Sequence, residues 1–320
     1  MHTSLFCPFT HCLWRIFLYR TNIFIIMTTR KTTSKSKDVK EVETVETAKI
    51  QVNESGSVQV SDALADESPV LEKKAQDHTT VVIPYCKEFA QGRELLFALR
   101  SWYNNARFPA NLVIIGDRED WFGEEVTVIE HQRTSDNPQI DTMEKLKLAI
   151  ESPEVTERFI WTNDDIYLVN RVSLAHIEIP KVLGELKPEK FKGAYAENMS
   201  RTVMLLDKFG LPKLNYGTHT PVLFEKFRLK DMLERFPEAE SGVLFSSLYF
   251  NFQPFPAHPV VLDWKTDQFL LPVISQKPDE QRAKELLQRK VFLNNTVSGY
   301  SAWLEKFLEQ MFPEPSIFEE

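Results

Sequence analysis

From Thr79 onward, apolar residues come in short unbroken runs that alternate with stretches of helical spacing. TTVVIPYC (79–86) is apolar on both faces and is closed by Pro84, which predicts a buried first strand. In Glu94 to Asn105, ELLFALRSWYNN, residues Leu95, Leu99 and Trp102 fall on one side of a helix. NLVIIGD (111–117) and VTVIE (126–130) predict a second and a third strand, and Ile140 to Ile150 a helix with Met143, Leu146 and Ile150 on one side. RFIWTNDDIYLV (158–169) predicts a fourth strand interrupted by polar residues. Strand, helix, strand, strand, helix, strand implies an α/β fold with a mostly parallel sheet flanked by helices. Ligands of such sheets sit at the carboxyl ends of the strands, which places Asp117 and the Asn163–Asp165 group on one rim.

The second half is less regular. Residues 171–215 alternate apolar and polar positions, punctuated by Pro180, Pro188 and Pro212, and predict no long element. The spacing predicts helices over Val222–Phe236, Gly242–Phe252 and Asp279–Arg289, and a strand in PVVLDW (259–264), giving a largely helical C-terminal part. The expected folded domain is 79–320.

Before it, residues 1–27 are apolar but broken by Pro8, His11, Arg15 and Arg20. Arginines inside a membrane span cost roughly 2.5–3.5 kcal/mol each, and a secretory signal carries its charge before the apolar run and a small-residue cleavage site after it. Translation is therefore expected to start at Met27, with the preceding residues an over-extended reading of the gene; a membrane anchor is the alternative. Thr28 to His78 is rich in Thr, Ser, Lys and Glu and poor in aromatics, which predicts a disordered tail.

With 42% hydrophobic and 12% aromatic residues the domain has ample core material, and a net charge of −8 excludes a broad nucleic-acid surface. Only 10 glycines occur, and neither G-x-x-x-x-G-K nor G-x-G-x-x-G is present, so any bound phosphate must be held by metal and side chains. Of Cys7, Cys12 and Cys86, only the last falls in the expected domain. That excludes a disulfide within the domain and points to a reducing, cytoplasmic location, membrane association being the alternative.

The candidate chemistry centres on Asn163-Asp164-Asp165. Two adjacent carboxylates between apolar runs repel each other and lose hydration unless a cation compensates them. Mg²⁺ or Mn²⁺ suits Asp164 and Asp165, because these ions take hard oxygen ligands and share the rest of their shell with phosphate oxygens. A plain turn between two strands is the competing reading. His219 precedes the helix expected at Val222, where it would donate to a phosphate oxygen or act as a base; a capping or core histidine is equally compatible with the pattern. Trp161, Trp264 and Trp303 could stack on a sugar ring or serve the core.

Taken in order, these segments resemble the stealth family of sugar-1-phosphate transferases, to which bacterial capsular polysaccharide phosphotransferases and the animal lysosomal-enzyme N-acetylglucosamine-1-phosphotransferase belong. The family's second block begins with a leucine-rich LR-S helix, here GRELLFALRSWYNN (92–105). A strand with a Trp-containing turn follows, LVIIGDREDWF (112–122), and then VTVIEH (126–131). NPQIDTMEKLKLAIESPEVTERF (137–159) leads into the Asn-Asp-Asp strand. The His-x-Pro of the third block matches His219-Thr220-Pro221, and the fourth block matches Asn294 and FPEPSIFE (312–319). The first block's acid has no counterpart in TTVVIPYC, and the fourth block's Asn-Asp is Asn294-Asn295 here.

The resemblance implies a nucleotide-sugar-binding fold of the GT-A kind and metal-dependent transfer of a sugar-1-phosphate. The donor would resemble UDP-N-acetylglucosamine and the acceptor would be a glycan hydroxyl, in surface or capsular polysaccharide synthesis. Asp164 and Asp165 would hold the metal, with His219, Asp165 and Asp141 catalytic. Asn163, Asn294, Asn137 and Asp117 would bind substrate, Asn137 and Asp141 standing where the family carries Ser and Glu. An ordinary glycosyltransferase, or a catalytically inactive sugar-binding homologue, are the alternatives.

Overall fold

The computed structural model describes residues 78–253 and 258–320; the leader and tail expected ahead of His78 lie outside the described residues. The described residues belong to one compact unit, Ser68–Glu320. Its strands are β1 (Thr79–Tyr85), β2 (Ala110–Gly116), β3 (Val126–Glu130), β4 (Arg158–Trp161), β5 (Ile166–Leu168), β6 (Lys181–Val182), β7 (Val222–Glu225), β8 (Val260–Val261), β9 (Leu270–Val273) and β10 (Phe292–Asn295). Its helices are α1 (Glu94–Asn105), α2 (Pro138–Glu151), α3 (Leu174–Glu178), α4 (Gly193–Lys208), α5 (Lys226–Arg235), α6 (Phe245–Phe252), α7 (Glu280–Leu287) and α8 (Ala302–Met311).

The main sheet has the order β3-β2-β1-β4-β7, all neighbours parallel except β4 and β7. Alternate residues of its strands point to opposite faces, and both faces are apolar, as expected of strands covered on both sides. Val81, Ile83, Leu112, Ile114 and Ile160 pack on one side with Leu95, Leu99 and Trp102 of α1. Val82, Val113, Ile115, Phe159 and Trp161 pack on the other with Met143, Leu146 and Ile150 of α2. Asn137 starts α2 because its Oδ1 accepts from Gln139 N at 3.0 Å, with Pro138 at the first helical position.

Several elements differ from the sequence expectation. The expected fourth strand is two: RFIW lies in the main sheet, whereas IYL pairs with β10 in a separate sheet of order β5-β10-β9. The expected helix over Val222–Phe236 is a strand followed by a helix, because Val222–Glu225 pairs antiparallel with β4. α4 fills part of 171–215; its buried face includes Asn198 and Thr202 beside Met199, Leu205 and Leu206, which blunts the apolar period. The C-terminal part is helical in α5 to α8, but β9 and β10 run through it. Among the described residues no helix is long and apolar enough to cross a membrane.

Gly116 ends β2 with φ 141°, and a Cβ there would lie 1.8 Å from the Tyr85 carbonyl oxygen on β1. Gly116→Ala must therefore separate two central strands at their carboxyl ends. A loss of about 3 kcal/mol or more is expected, read as a lowered midpoint in urea unfolding.

Candidate functional site

The carboxyl ends of β1 and β4 open into a cavity of about 580 Å³. In the sheet register Trp161 at the end of β4 is opposite Val222 at the start of the antiparallel β7. The segment leaving β4 and the segment entering β7 therefore meet at the same rim. That is how Asn163, Asp164 and Asp165 come to line one cavity with His219, although the histidine lies 54 positions beyond Asp165 in the sequence. The Asn-Asp-Asp group occupies the point where the chain leaves the main sheet for the smaller one.

Both aspartates are half-buried, open to the cavity on one side and closely surrounded by protein on the other. Burial, then the neighbouring Asp165 and Glu94, pushes the Asp164 pKa up to about 8. Burial and Glu94 push Asp165 up to about 7. Asp165 Oδ1 is buried and has no hydrogen-bond partner among the described residues, and the same holds for Thr162 Oγ1, which belongs to the same segment. An unpartnered carboxylate oxygen next to a second carboxylate is a chemically apt seat for a small, hard divalent cation.

The cavity wall carries five carboxylates, Glu94, Asp136, Asp141, Asp164 and Asp165, against two permanent cations, Arg133 and Lys145. Both cations already have acidic partners: Lys145 Nζ lies 2.9 Å from Asp141 Oδ2, and Arg133 Nη2 lies 2.9 Å from Asp136 Oδ1. Among the described residues no lysine or arginine forms an ion pair with Glu94, Asp164 or Asp165, and Lys145 acts on Asp164 only as a weak, longer-range charge. Glu94 is held by neutral donors, Asn295 Nδ2 at 2.6 Å and Gln91 N at 2.7 Å, and burial raises its pKa.

His219 is exposed to the cavity, and the protein packed round it lowers its pKa by desolvation, which keeps the imidazole neutral at pH 7. Its φ is 47°, the only positive value at a non-glycine position among the described residues. A single strained residue in a cavity wall is a marker of function. His219 does not stand at a helix N-terminus as expected, because β7 rather than a helix follows it.

Asp141 also lines the cavity, joined to Lys145 and, at 3.3 Å, to His131 Nε2. Three other candidates lie outside the cavity lining. Asn137 is engaged as the α2 cap and in a reciprocal amide pair with Asn198 at 2.8 and 2.9 Å. Asp117 Oδ2 accepts from Lys87 N at 2.7 Å and holds the turn after β1. Asn294 is buried in β10, with an unpartnered Oδ1. Of the tryptophans considered for stacking, Trp161 lines the cavity and packs edge-on against Phe245 at 5.8 Å.

The sequence reading did not single out Glu94, Lys145 or Tyr216. Glu94 had a usable signal, because the helix following the first strand of a parallel sheet starts at the ligand-binding rim. Tyr216 had none. It joins the wall from the loop ahead of β7, with its ring stacked on Phe250 at 4.9 Å.

No family model matches the chain, and no curated protein matches it. The solved structures similar to this chain include three sugar transferases. One is a glycosyltransferase involved in glycosylation of the major capsid of PBCV-1, with 15% identity, a TM-score of 0.36, and 73% of this chain and 99% of that chain covered. Another is the glycosyltransferase GlyE of Streptococcus pneumoniae, with 8% identity, a TM-score of 0.39, and 74% and 60% covered. The third is mouse xyloside xylosyltransferase 1, with 12% identity, a TM-score of 0.34, and 70% and 98% covered.

Proposed function

We propose that the cavity binds a nucleotide sugar through a divalent cation and transfers the sugar-1-phosphate to a glycan hydroxyl. The observation that carries the reading is the surplus of carboxylates in the cavity, ending in the unpartnered Asp165 Oδ1. Once ionised, Asp164 and Asp165 would repel a bare diphosphate; a cation that displaces their protons and lies between them and the diphosphate makes the pair attractive. Mg²⁺ or Mn²⁺ held by Asp164 and Asp165 would neutralise charge on the donor diphosphate. Lys145, buried beside Asp141, adds fixed positive charge to the same wall. Asn163 hydrogen-bonds the donor from the metal-side turn, and Trp161 and Tyr216 present ring surface to the base or sugar. His219 lines the same cavity as the aspartates. Its neutral imidazole accepts the proton of the attacking hydroxyl.

Transfer at phosphorus, rather than at the sugar carbon, is favoured by the ordered resemblance of the sequence blocks. Incubation with Mn²⁺, a panel of nucleotide sugars and glycan acceptors separates the two. A phosphodiester product with release of the nucleoside monophosphate is expected. A glycosidic product with release of the diphosphate would establish ordinary glycosyl transfer instead, and no binding of any donor would establish a non-catalytic role.

His219→Gly separates strain from chemistry. Glycine reaches positive φ without the roughly 1–2 kcal/mol cost borne by histidine. The variant should melt at or above the wild-type temperature while turnover falls by about 100-fold or more. A thermal melt alongside a rate assay checks both halves.

A further inference from the structure

A second group of potential metal ligands lies at the end of β3, apart from the Asp164/Asp165 pair. His131, just after that strand, faces Asp141 and Glu144, which occupy i and i+3 on α2 and so share a helix face. His131 Nε2 lies 3.3 Å from Asp141 Oδ1 and 3.5 Å from Glu144 Oε2, and the three donor atoms all fall within 4.8 Å of one another. Donors bound tetrahedrally to Zn²⁺ at about 2.0–2.1 Å are separated by roughly 3.3–3.5 Å, which the two distances from His131 already match, while the two carboxylate oxygens need only stay within or close in from their 4.8 Å limit.

We infer that His131, Asp141 and Glu144 bind a divalent first-row transition ion of the Zn²⁺ type, which clips the end of β3 to α2. The donor set is mixed, one imidazole and two carboxylates, which is the nitrogen and oxygen chemistry such ions prefer. The outer contacts expected of a built site are in place. Lys145 Nζ holds the second Asp141 oxygen at 2.9 Å, and the Thr134 hydroxyl donates to Glu144 Oε2. Glu144 has no lysine or arginine partner among the described residues. Glu144 is partly exposed, with 37% of its side chain accessible, which leaves a path for an ion to enter and a fourth position for water.

The clip closes the segment from Gln132 to Ile140. That segment supplies Arg133, Asp136, Pro138 and Gln139 to the wall of the large cavity. The ion therefore acts as a positioning element for that wall, and its binding does not depend on the function proposed for the cavity.

The test uses the full chain with Cys7→Ser and Cys12→Ser, so that the leader's thiols supply no zinc site, stripped with a chelator and titrated with ZnCl₂ by calorimetry. In the Asp164→Asn/Asp165→Asn background one equivalent should still bind. Adding His131→Gln or Glu144→Gln should weaken that equivalent at least 10-fold, with the fold checked by thermal melts. If His131→Gln fails to fold, Glu144→Gln decides. Absence of zinc binding in the Asp164→Asn/Asp165→Asn protein would overturn the assignment, as would affinity unchanged by both substitutions in folded protein.

Discussion

Asp165→Asn should abolish metal-dependent activity and, in the metal-free protein at pH 8, raise the melting temperature. Both effects follow from one side chain. Asp165 Oδ1 is buried without a partner, so replacing the carboxylate by an amide removes the charge that the cation needs. Loss of one of two carboxylate ligands is expected to cost about 100-fold or more in turnover. The stability effect has a definite sign. The folded protein holds the Asp165 proton up to about pH 7 and the Asp164 proton up to about pH 8, whereas the unfolded chain releases both near pH 4. Between pH 4 and 8 the folded state binds more protons, so the contribution of these groups to stability falls as pH rises. Solvent in the cavity screens the cost, which leaves on the order of 1–3 kcal/mol at pH 8 for the pair. For a domain of this size each kcal/mol shifts the midpoint by about 2–4 °C. Differential scanning calorimetry at pH 5.5 and pH 8 should show a gap between wild type and Asp165→Asn that opens with pH and closes when Mn²⁺ is added to the wild type.

Phe224→Ala should be the most destabilising substitution in β7, at about 3–5 kcal/mol. Phe224 has no accessible surface, and its ring meets Phe159, Phe245, Tyr249 and Phe250 at centroid distances of 6.0, 5.9, 4.9 and 5.7 Å. Alanine leaves a cavity that four surrounding rings cannot fill without leaving their rotamers. The strand also carries Val222, the register partner of Trp161, and its entry segment holds His219 at the cavity. Weakened β7 pairing should therefore reduce turnover as well as stability. Urea unfolding measures the first effect and a rate assay at a temperature well below the midpoint measures the second. A loss of stability with turnover unchanged would show that β7 does not anchor the histidine through Phe224.

The first half of the fold was legible because its strands and helices each keep one period. Val81, Ile83 and Val82 alternate on β1, and Leu95, Leu99 and Trp102 repeat on α1, so β1 to α2 could be read in order. β7 was not legible. VLFEKFRLKDMLERF has apolar residues at helical spacing along its whole length, and only the edge of β4, remote in sequence, selects strand for its first four residues. The same long-range effect splits RFIWTNDDIYLV, since β10 captures IYL into a different sheet. Within the site, Asp164 and Asp165 announced themselves as adjacent charges in an apolar setting. Glu94 did not, because an acid in the first turn of a helix is ordinary helix chemistry. Asn137 was ambiguous for a related reason: an asparagine ahead of a helix reads equally as cap or as ligand, and here both its amide atoms are engaged in capping and pairing.

The most direct test of the account is a calorimetric titration of metal-stripped protein with UDP-N-acetylglucosamine, with and without saturating Mn²⁺, in wild type and Asp165→Asn. The account predicts binding by the wild type that requires Mn²⁺ and is lost in the folded variant. Equal affinity with and without the ion, or in both proteins, would contradict it.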